Sequence, residues 1–493
     1  MENTPKVEDI LKLMKRAKKN DRALVARAFE FAQKAHQGQT RVSGNPYFIH
    51  VFETARKLAE LNMNAQTIAA GLLHDTLEDA GVPRVAMIKE FGEDITRLVD
   101  GVTKLGTVKY RGRERHIESL RKFLMSIAED VRVLIIKLCD RLHNLRTLQY
   151  LSPEKQKRIA VESIEIYAAL ANRLGMGNLK GDIEDAAFPY AYPKEYEMAE
   201  KLIQEKTEIN KKYLDEIYKT IKKEIIKQGI KIVKIDYRFK HKYSLYKKLV
   251  RHNMDIDKIY DIVALRVIVP SIECCYRVLG LIHTLWRPLQ GRIKDYIAVA
   301  KPNGYRALHT TIFTGTGGIV EIQIYTPEMY REAKYGIASH VIFKEGGFHP
   351  TSGKVRPKFA WLNKLKDLQQ AVLEQSKFLE HLKIDFFKDR IFVFTPKGEV
   401  VDLPEESCPI DFAYTIHSDI GDHIWSAKVN GKVIALDYKL RNGDFVEIVT
   451  KKESHPSSRW MEYVKTPLAR KHIKNYLDKN SLMSRLSKYM PKK

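Results

Sequence analysis

Up to about residue 190 the apolar residues of this chain recur at helical spacing, and beyond Lys231 they do not. Residues 23–35, 51–61, 65–73, 117–127 and 131–148 each repeat at three to four residues, the period of a helix with one buried face. Pro189 and Pro193 punctuate the end of that region, and 196–230 continues as a long, charged helical pattern suited to a connector. From Lys231 the runs shorten and become β-rich at 262–269, 296–299, 310–314 and 319–324, with helical runs near 244–252 and 273–286 between them. Interleaving of that kind predicts a mixed α/β domain extending to about residue 346.

Gly346, Gly347, Pro350, Ser352, Gly353 and Pro357 then mark a loop or linker, followed by a helical pattern near 361–383. Short β-runs separated by P-K-G (396–398) and N-G (430–431) turns fill 389–450, the size of a small β-rich module. The last stretch, 451–493, carries twelve Lys and Arg against three acids, a basic helical tail. The expected organisation is an all-helical domain over 1–195, a mixed α/β domain over 196–346 with the connector leading into it, a linker and helix over 347–387, a β-rich module over 388–450, and the tail.

The net charge of +24 favours polyanionic partners such as nucleotides, RNA or an anionic surface. Cys139, Cys274, Cys275 and Cys408 show no C-x-x-C spacing, which disfavours a thiolate zinc site and suits a reducing compartment. No apolar run reaches the roughly 18 residues of a membrane span, and residues 1–21 lack a signal-peptide core. A soluble, cytoplasmic protein without a membrane partner is expected.

Two polar constellations carry chemistry. His50, the pair His74-Asp75, and Asp140 fall in patterns read as helical. Two imidazoles and two carboxylates suit Mn²⁺, Fe²⁺ or Mg²⁺. On a helix His74 and Glu78 would share a face, as would Asp75 and Asp79, so Glu78 or Asp79 is placed to orient or deprotonate a water. In L-C-D-R-L-H-N-L-R-T (138–147), Asp140, Asn144 and Thr147 share a face while Leu138, Leu142 and Leu145 occupy another. Together these residues resemble the HD-type phosphohydrolase pattern.

The second constellation lies between Asp261 and Glu321, each read as opening a β-run, so that two carboxylates meet one Mg²⁺. Arg238, Lys240, Lys248, Lys294 and Lys301 supply cations for phosphates and for charge developed during transfer. A P-N-G turn at 302–304 places Tyr305 at its exit, where the ring can stack on a purine, and His309 follows four residues on.

The motifs H-D-T-L-E-D, C-D-R-L-H-N-L-R-T, Y-D-I-V-A-L-R-V-I-V, R-I-K-D-Y-I-A-V-A-K-P-N-G-Y and E-I-Q-I resemble those of the Rel/SpoT family of (p)ppGpp synthetase–hydrolases, over nearly the whole chain. The resemblance implies a helical HD-type hydrolase domain, a nucleotidyltransferase-like synthetase domain and a small β-grasp TGS domain. At the first site it implies removal of the 3′-pyrophosphate of (p)ppGpp. His50, His74, Asp75 and Asp140 would hold Mn²⁺, Glu78 and Asp79 would assist catalysis, and Arg41, Asn144 and Thr147 would contact nucleotide. At the second it implies transfer of pyrophosphate from ATP to the 3′-OH of GDP or GTP. There Asp261 and Glu321 would serve Mg²⁺ and activate the hydroxyl. Arg238, Lys240, Ser244, Lys248, Lys294, Lys301, Asn303, His309 and Gln323 would line the nucleotide sites, with Tyr305 stacking on guanine.

R-I-K-D (292–295) is the form that the resemblance associates with bifunctional members, and coupling of the two sites through the 150–230 helical region is expected. T-I-H-S-D-I-G (415–421) resembles the TGS stretch in which His417 would touch the 3′ end of uncharged tRNA, with the ribosome as a further partner. Val42, Tyr325 and Val341 depart from the usual residues; Tyr325 stands where an arginine is usual. Long family members continue beyond TGS, so a truncated chain or a short form is expected. The competing readings are retention of only one activity, or a non-catalytic tRNA- or ribosome-binding protein.

Overall fold

The computed structural model describes residues 5–15, 17–106, 130–259, 262–301, 303–314, 318–341, 390–441 and 443–487. Asp261, the helical pattern at 117–127, and the linker and helix expected over 347–387 lie outside the described residues. The chain divides into two compact units, Met1–Ala371 and Val372–Lys493.

The first unit begins all-helical, as its spacing predicts, with helices Lys19–Ala35, Phe48–Glu60, Ala65–Leu73, Arg84–Gly106 and Val131–Arg146. Ala65–Leu73 is apolar nearly all round and buried from Thr67 to Leu73, the mark of a helix at the centre of a bundle. Asn64 caps it by accepting the Thr67 N–H at 3.0 Å. At Gly71 a Cβ would lie 2.4 Å from Leu58 Cδ1, so glycine lets this helix close on Phe48–Glu60. That approach brings His50 towards His74.

Two expectations fail locally. The helix stops at Leu73, and residues 74–79 are hydrogen-bonded turns, with the Asp79 N–H on the Asp75 carbonyl at 2.8 Å. The His74–Glu78 and Asp75–Asp79 pairs therefore sit on a turn and not on a helix face. The other is Pro189, which lies inside the helix Gly177–Ala191 instead of ending it. The break falls at Tyr192, and Pro193 opens the next helix at its first position, where its missing N–H has no partner to lose.

That next helix, Pro193–Lys227, is the expected connector, and one stripe of it is core. Leu214, Ile217, Ile221 and Ile225 pack with helices Lys242–Arg251 and Ile272–Leu285 against one face of a five-stranded sheet. Its strands are β1 (Lys234–Phe239), β2 (Val263–Ile268), β3 (Lys294–Asp295), β4 (Leu308–Phe313) and β5 (Ile319–Tyr325), in the order β1-β2-β5-β4-β3. Only β2 and β5 run parallel, with Ala264 beside Glu321. Side chains alternate across a sheet. Leu265, Val267, Val320, Ile322, Ile324 and Leu308 thus enter the core, while Arg266, Glu321, Gln323, Tyr325 and His309 share the other face. The run at 296–299 is not a strand. Asp295 accepts the backbone N–H groups of Ile297 (2.9 Å) and Ala298 (2.8 Å), and this side-chain turn ends β3 after two residues.

The helix Gly177–Ala191 joins the helical and mixed parts. Asp185 accepts the Tyr243 N–H (3.0 Å) and pairs with the His241 ring (2.8 Å), while buried Glu184 accepts from Ser244 Oγ and Lys247 Nζ, both at 3.1 Å. Gly181 permits this approach, since a Cβ there would lie 2.1 Å from the His241 ring.

The second unit carries a hairpin of β6 (Arg390–Phe394) and β7 (Val400–Pro404), a helix Pro409–Ile416, and an antiparallel sheet of β8 (Ile424–Val429), β9 (Lys432–Ile434) and β10 (Val446–Thr450) in the order β10-β8-β9. The helix was not evident in the sequence. Asp411, fully buried on it, accepts from the backbone N–H groups of Cys408, Lys465 and Thr466 and from Thr466 Oγ1, tying the helix to the segment before the tail. The tail is helical over Pro467–Ser487.

Candidate active sites

At the first site His50, His74 and Asp140 are buried with their ligand atoms within 4.8 Å of one another. Asp75 Oδ2 lies 3.2 Å from His74 Nε2 and 3.4 Å from His50 Nε2, and Asp140 Oδ1 lies 3.2 Å from His50 Nε2. All four expected ligands thus converge. His74 Nδ1 is 2.9 Å from the Gly71 carbonyl, which can only accept, so the ring proton is on Nδ1 and Nε2 offers a lone pair. Buried Nε2 has no hydrogen-bond partner and faces a carboxylate. Lone pairs turned on one another in a buried cluster are stabilised by a cation between them, and mixed imidazole and carboxylate donors fit a divalent transition ion.

Burial lowers His74 below its ordinary pKa. At His50 burial works the same way, but Asp140 and Asp75 outweigh it and raise the ring. Burial pushes Asp75 and Asp140 up, yet His74 and His50 hold Asp75 below the carboxylate range, and Lys137 with the same imidazoles does so for Asp140.

A second layer orients these groups. Tyr47 donates towards Asp75 Oδ2 (2.9 Å) and Asp79 Oδ2 (2.6 Å), so it, and not a helix face, brings those acids together. Lys137 Nζ and Asn144 Nδ2 each donate to Asp140 at 2.5 Å. Arg41 donates to Asn144 Oδ1 (2.5 Å), to His143 Nδ1 (3.2 Å) and to Thr147 Oγ1 (3.4 Å), which gathers the three expected nucleotide contacts. His143 Nδ1 also lies 2.8 Å from His50 Nδ1, and its pKa is pushed down to about 3 by burial, His50 and Arg41. Glu78 and Asp79 are exposed on the turn beside this cluster.

A cavity of about 240 Å³ opens here, lined by Arg41, Lys137, Arg141, Asn144, Thr147 and Tyr150 among others. Three cations around one cavity suit phosphate oxygens. Tyr47, Lys137, Arg141 and His143 were missed in the sequence. Lys137, Asp140, Arg141 and Asn144 follow the i, i+3, i+4, i+7 spacing of one helix stripe, a signal that extends the recognised face by one turn.

At the second site Glu321 is the third residue of β5 and not its first. His309 Nδ1 lies 3.0 Å from Glu321 Oε1, and Gln323 Nε2 donates to the same oxygen at 2.6 Å. Burial would raise Glu321, but His309, Gln323 and Lys248 hold it well below the usual carboxylate range. Arg238 Nη1 donates to Gln323 Oε1 at 3.1 Å, and Lys294 pairs with His309 across β3 and β4. The predicted turn is present: Gly304 adopts φ 78°, Asn303 Oδ1 accepts the Tyr305 N–H at 3.2 Å, and Tyr305 follows. Lys301 lies over the rings of Tyr296 (4.5 Å) and Tyr305 (5.0 Å). Its side chain keeps solvent access, but desolvation of the ammonium there, with Lys294 and Arg238 nearby, pushes it down to about 8. Lys240 leaves β1 with its N–H on the Ile262 carbonyl at 3.0 Å. Ser244 is turned onto Glu184, as described above. Tyr325, a departure from the expected arginine, is buried, with its hydroxyl on Tyr305 and Gln323. An ionised carboxylate, a histidine beside it and a rim of cations form a surface suited to phosphoryl transfer.

In the second unit His417 is exposed at the end of its helix, and its Nδ1 accepts the Asp419 N–H at 3.2 Å.

Three family models match the chain: "HD domain" over residues 28–177, "Region found in RelA / SpoT proteins" over 237–347, and "TGS domain" over 391–450. Among curated relatives, a GTP pyrophosphokinase of Myxococcus xanthus is 43% identical over 461 residues, covering 93% of this chain and 60% of that protein. A guanosine-3′,5′-bis(diphosphate) 3′-pyrophosphohydrolase of Aquifex aeolicus is 44% identical over 456 residues, covering 92% and 64%. A bifunctional (p)ppGpp synthase/hydrolase RelA of Mycobacterium tuberculosis is 41% identical over 468 residues, covering 94% and 63%. The chain spans less than two thirds of the length of each of these relatives.

Proposed function

The chain belongs to the Rel/SpoT family, and on that premise we propose that it both makes and degrades (p)ppGpp, with one activity at each site. The observation that carries this reading is the coexistence in one unit of a buried His–Asp cluster whose lone pairs face one another and, apart from it, a cationic sheet face centred on Glu321.

In hydrolysis, His50, His74, Asp75 and Asp140 would hold Mn²⁺, which when bound would supply Lewis acidity towards the 3′-pyrophosphate. Arg41, Lys137 and Arg141 bind phosphate oxygens in the cavity, with Asn144 and Thr147 fixing Arg41. Asp79, held by Tyr47, or Glu78 on the same turn accepts the proton of a water that attacks the ribose-linked phosphorus of the 3′-pyrophosphate, and the ribose 3′-oxygen leaves as that P–O bond breaks, releasing pyrophosphate. In synthesis, Glu321 accepts the proton of the 3′-OH of GDP or GTP as that oxygen attacks the β-phosphorus of ATP and AMP departs. Glu321 and Asp261 would hold Mg²⁺, which when bound supplies charge neutralisation. Tyr305 stacks on guanine, and Arg238, Lys240, Lys248, Lys294 and Lys301 neutralise the phosphates. The second unit is proposed to contact uncharged tRNA and the ribosome through His417. No described helix is long and apolar enough to cross a membrane, and a cytoplasmic location is proposed.

The test is incubation of the protein with ATP, GDP or GTP and Mg²⁺, and separately with ppGpp and Mn²⁺, with products resolved by anion exchange. AMP with (p)ppGpp in the first, and GDP with pyrophosphate in the second, are expected. Product in one alone reduces the function to that activity. Product in neither transfers the weight to RNA binding.

The sites are also proposed to be coupled, since running both together is futile. The helix Gly177–Ala191 supports this, because it packs on Val131–Arg146, which carries Asp140 and Asn144, and its Glu184 and Asp185 hold the helix of Ser244 and Lys248. Coupling requires two states that bind the two sets of ligands differently. Saturating ATP and GDP should therefore slow ppGpp hydrolysis several-fold; an unchanged rate would contradict coupling.

A further inference from the structure

We infer that Tyr325 is a positioning residue of the pyrophosphoryl-transfer site, closing a ring of hydrogen bonds that fixes the Glu321 carboxylate and the Tyr305 ring together. The inference rests on the synthetase reading of this site.

The ring has two arms that begin at Glu321 Oε1. One runs to Gln323, whose Nε2 donates to that oxygen at 2.6 Å. The other runs to His309 Nδ1 at 3.0 Å, and from His309 Nε2 to the Tyr305 hydroxyl at 2.7 Å. The Tyr325 hydroxyl joins them, 2.6 Å from the Tyr305 hydroxyl and donating to Gln323 Oε1 at 2.9 Å. Arg238 donates to Gln323 Oε1 as well, which sets the amide with its oxygen towards Arg238 and its nitrogen towards Glu321.

Strand geometry puts these groups together. Glu321, Gln323 and Tyr325 are alternate residues of β5 and share a face, and His309 is the β4 partner of Gln323. Tyr325 is 3% exposed and its ring packs with Ile268, Ala307 and Met329, so it is out of reach of substrate. Its effect must pass through Gln323 and Tyr305. A base held within a few tenths of an ångström keeps its advantage, whereas a misplacement of about 1 Å costs on the order of 100-fold.

The test is Tyr325→Phe, which deletes the hydroxyl and keeps the packing, with Tyr305→Phe and the double variant completing a cycle. Synthetase kcat should fall roughly 10- to 100-fold in Tyr325→Phe, as for loss of a group that orients a reactive one. KM for ATP should change less than about threefold, with ppGpp hydrolysis unchanged. If the ring acts as a unit, the double variant should be scarcely worse than the poorer single one. A kcat equal to the unsubstituted protein's, or losses that multiply in the double variant, would overturn the inference. A synthetase-inactive unsubstituted protein would instead remove the reading beneath it, so the two failures are distinguishable.

Discussion

His74→Ala should abolish ppGpp hydrolysis while leaving (p)ppGpp synthesis, assayed without added ppGpp, within about twofold, because the contacts of His74 with Gly71, Asp75 and His50 all lie within the first site and the proposed coupling is driven by bound ligand. Nε2 of His74 is a buried lone pair with no protein partner, aimed at Asp75 beside His50 and Asp140. Removing it would delete one of the four donors proposed for the divalent ion. Loss of a group that merely orients a metal ligand costs about 10- to 100-fold, so loss of the ligand should exceed 100-fold. The partner readout is metal content: Mn²⁺ retained on dialysis should drop from near one equivalent to a small fraction. A variant that still binds and hydrolyses would remove His74 from the metal site.

Glu321→Gln should produce the opposite pattern. It keeps side-chain size and the contact with Gln323, but it removes the charge that His309 faces at 3.0 Å and the group proposed to take the 3′-OH proton. General-base loss costs roughly 10²- to 10⁴-fold in kcat, and synthesis should fall within that range while hydrolysis is retained. His309, Gln323 and Lys248 hold Glu321 below the usual carboxylate range, so it is ionised and has a free lone pair for the hydroxyl proton. Synthesis undiminished in this variant would assign the base elsewhere, with Asp261 the next residue to substitute.

Much of this was legible in the sequence because the signals were local. The helix Ala65–Leu73 and the alternation of β5 follow from hydrophobic period alone. The His74-Asp75 pair and the shared face of Asp140, Asn144 and Thr147 were legible from residue type and spacing, and Arg41 from the family resemblance. Contacts across long stretches of chain were not. His143 meets His50 over 93 residues, and Tyr47 gathers Asp75 and Asp79 from 28 and 32 residues away. No periodicity encodes such meetings. The sequence-based helix through His74 fails because the apolar pattern stops at Leu73 and the following carboxylates are held by Tyr47 instead of by a helix. The helix Pro409–Ile416 went unread because it is short, and a single buried acid, Asp411, anchors it through tertiary donors. Tyr325 read as a missing cation; its packing and its two hydroxyl partners give it a different role.

The central claim, two separate active sites in one chain, is tested most directly by assaying both reactions in parallel on the unsubstituted protein, His74→Ala and Glu321→Gln. The account predicts a crossed result, with His74→Ala synthesising but not hydrolysing and Glu321→Gln hydrolysing but not synthesising. Parallel loss of both activities in either folded variant, with thermal unfolding unchanged, would mean that the two constellations serve one site and would contradict it.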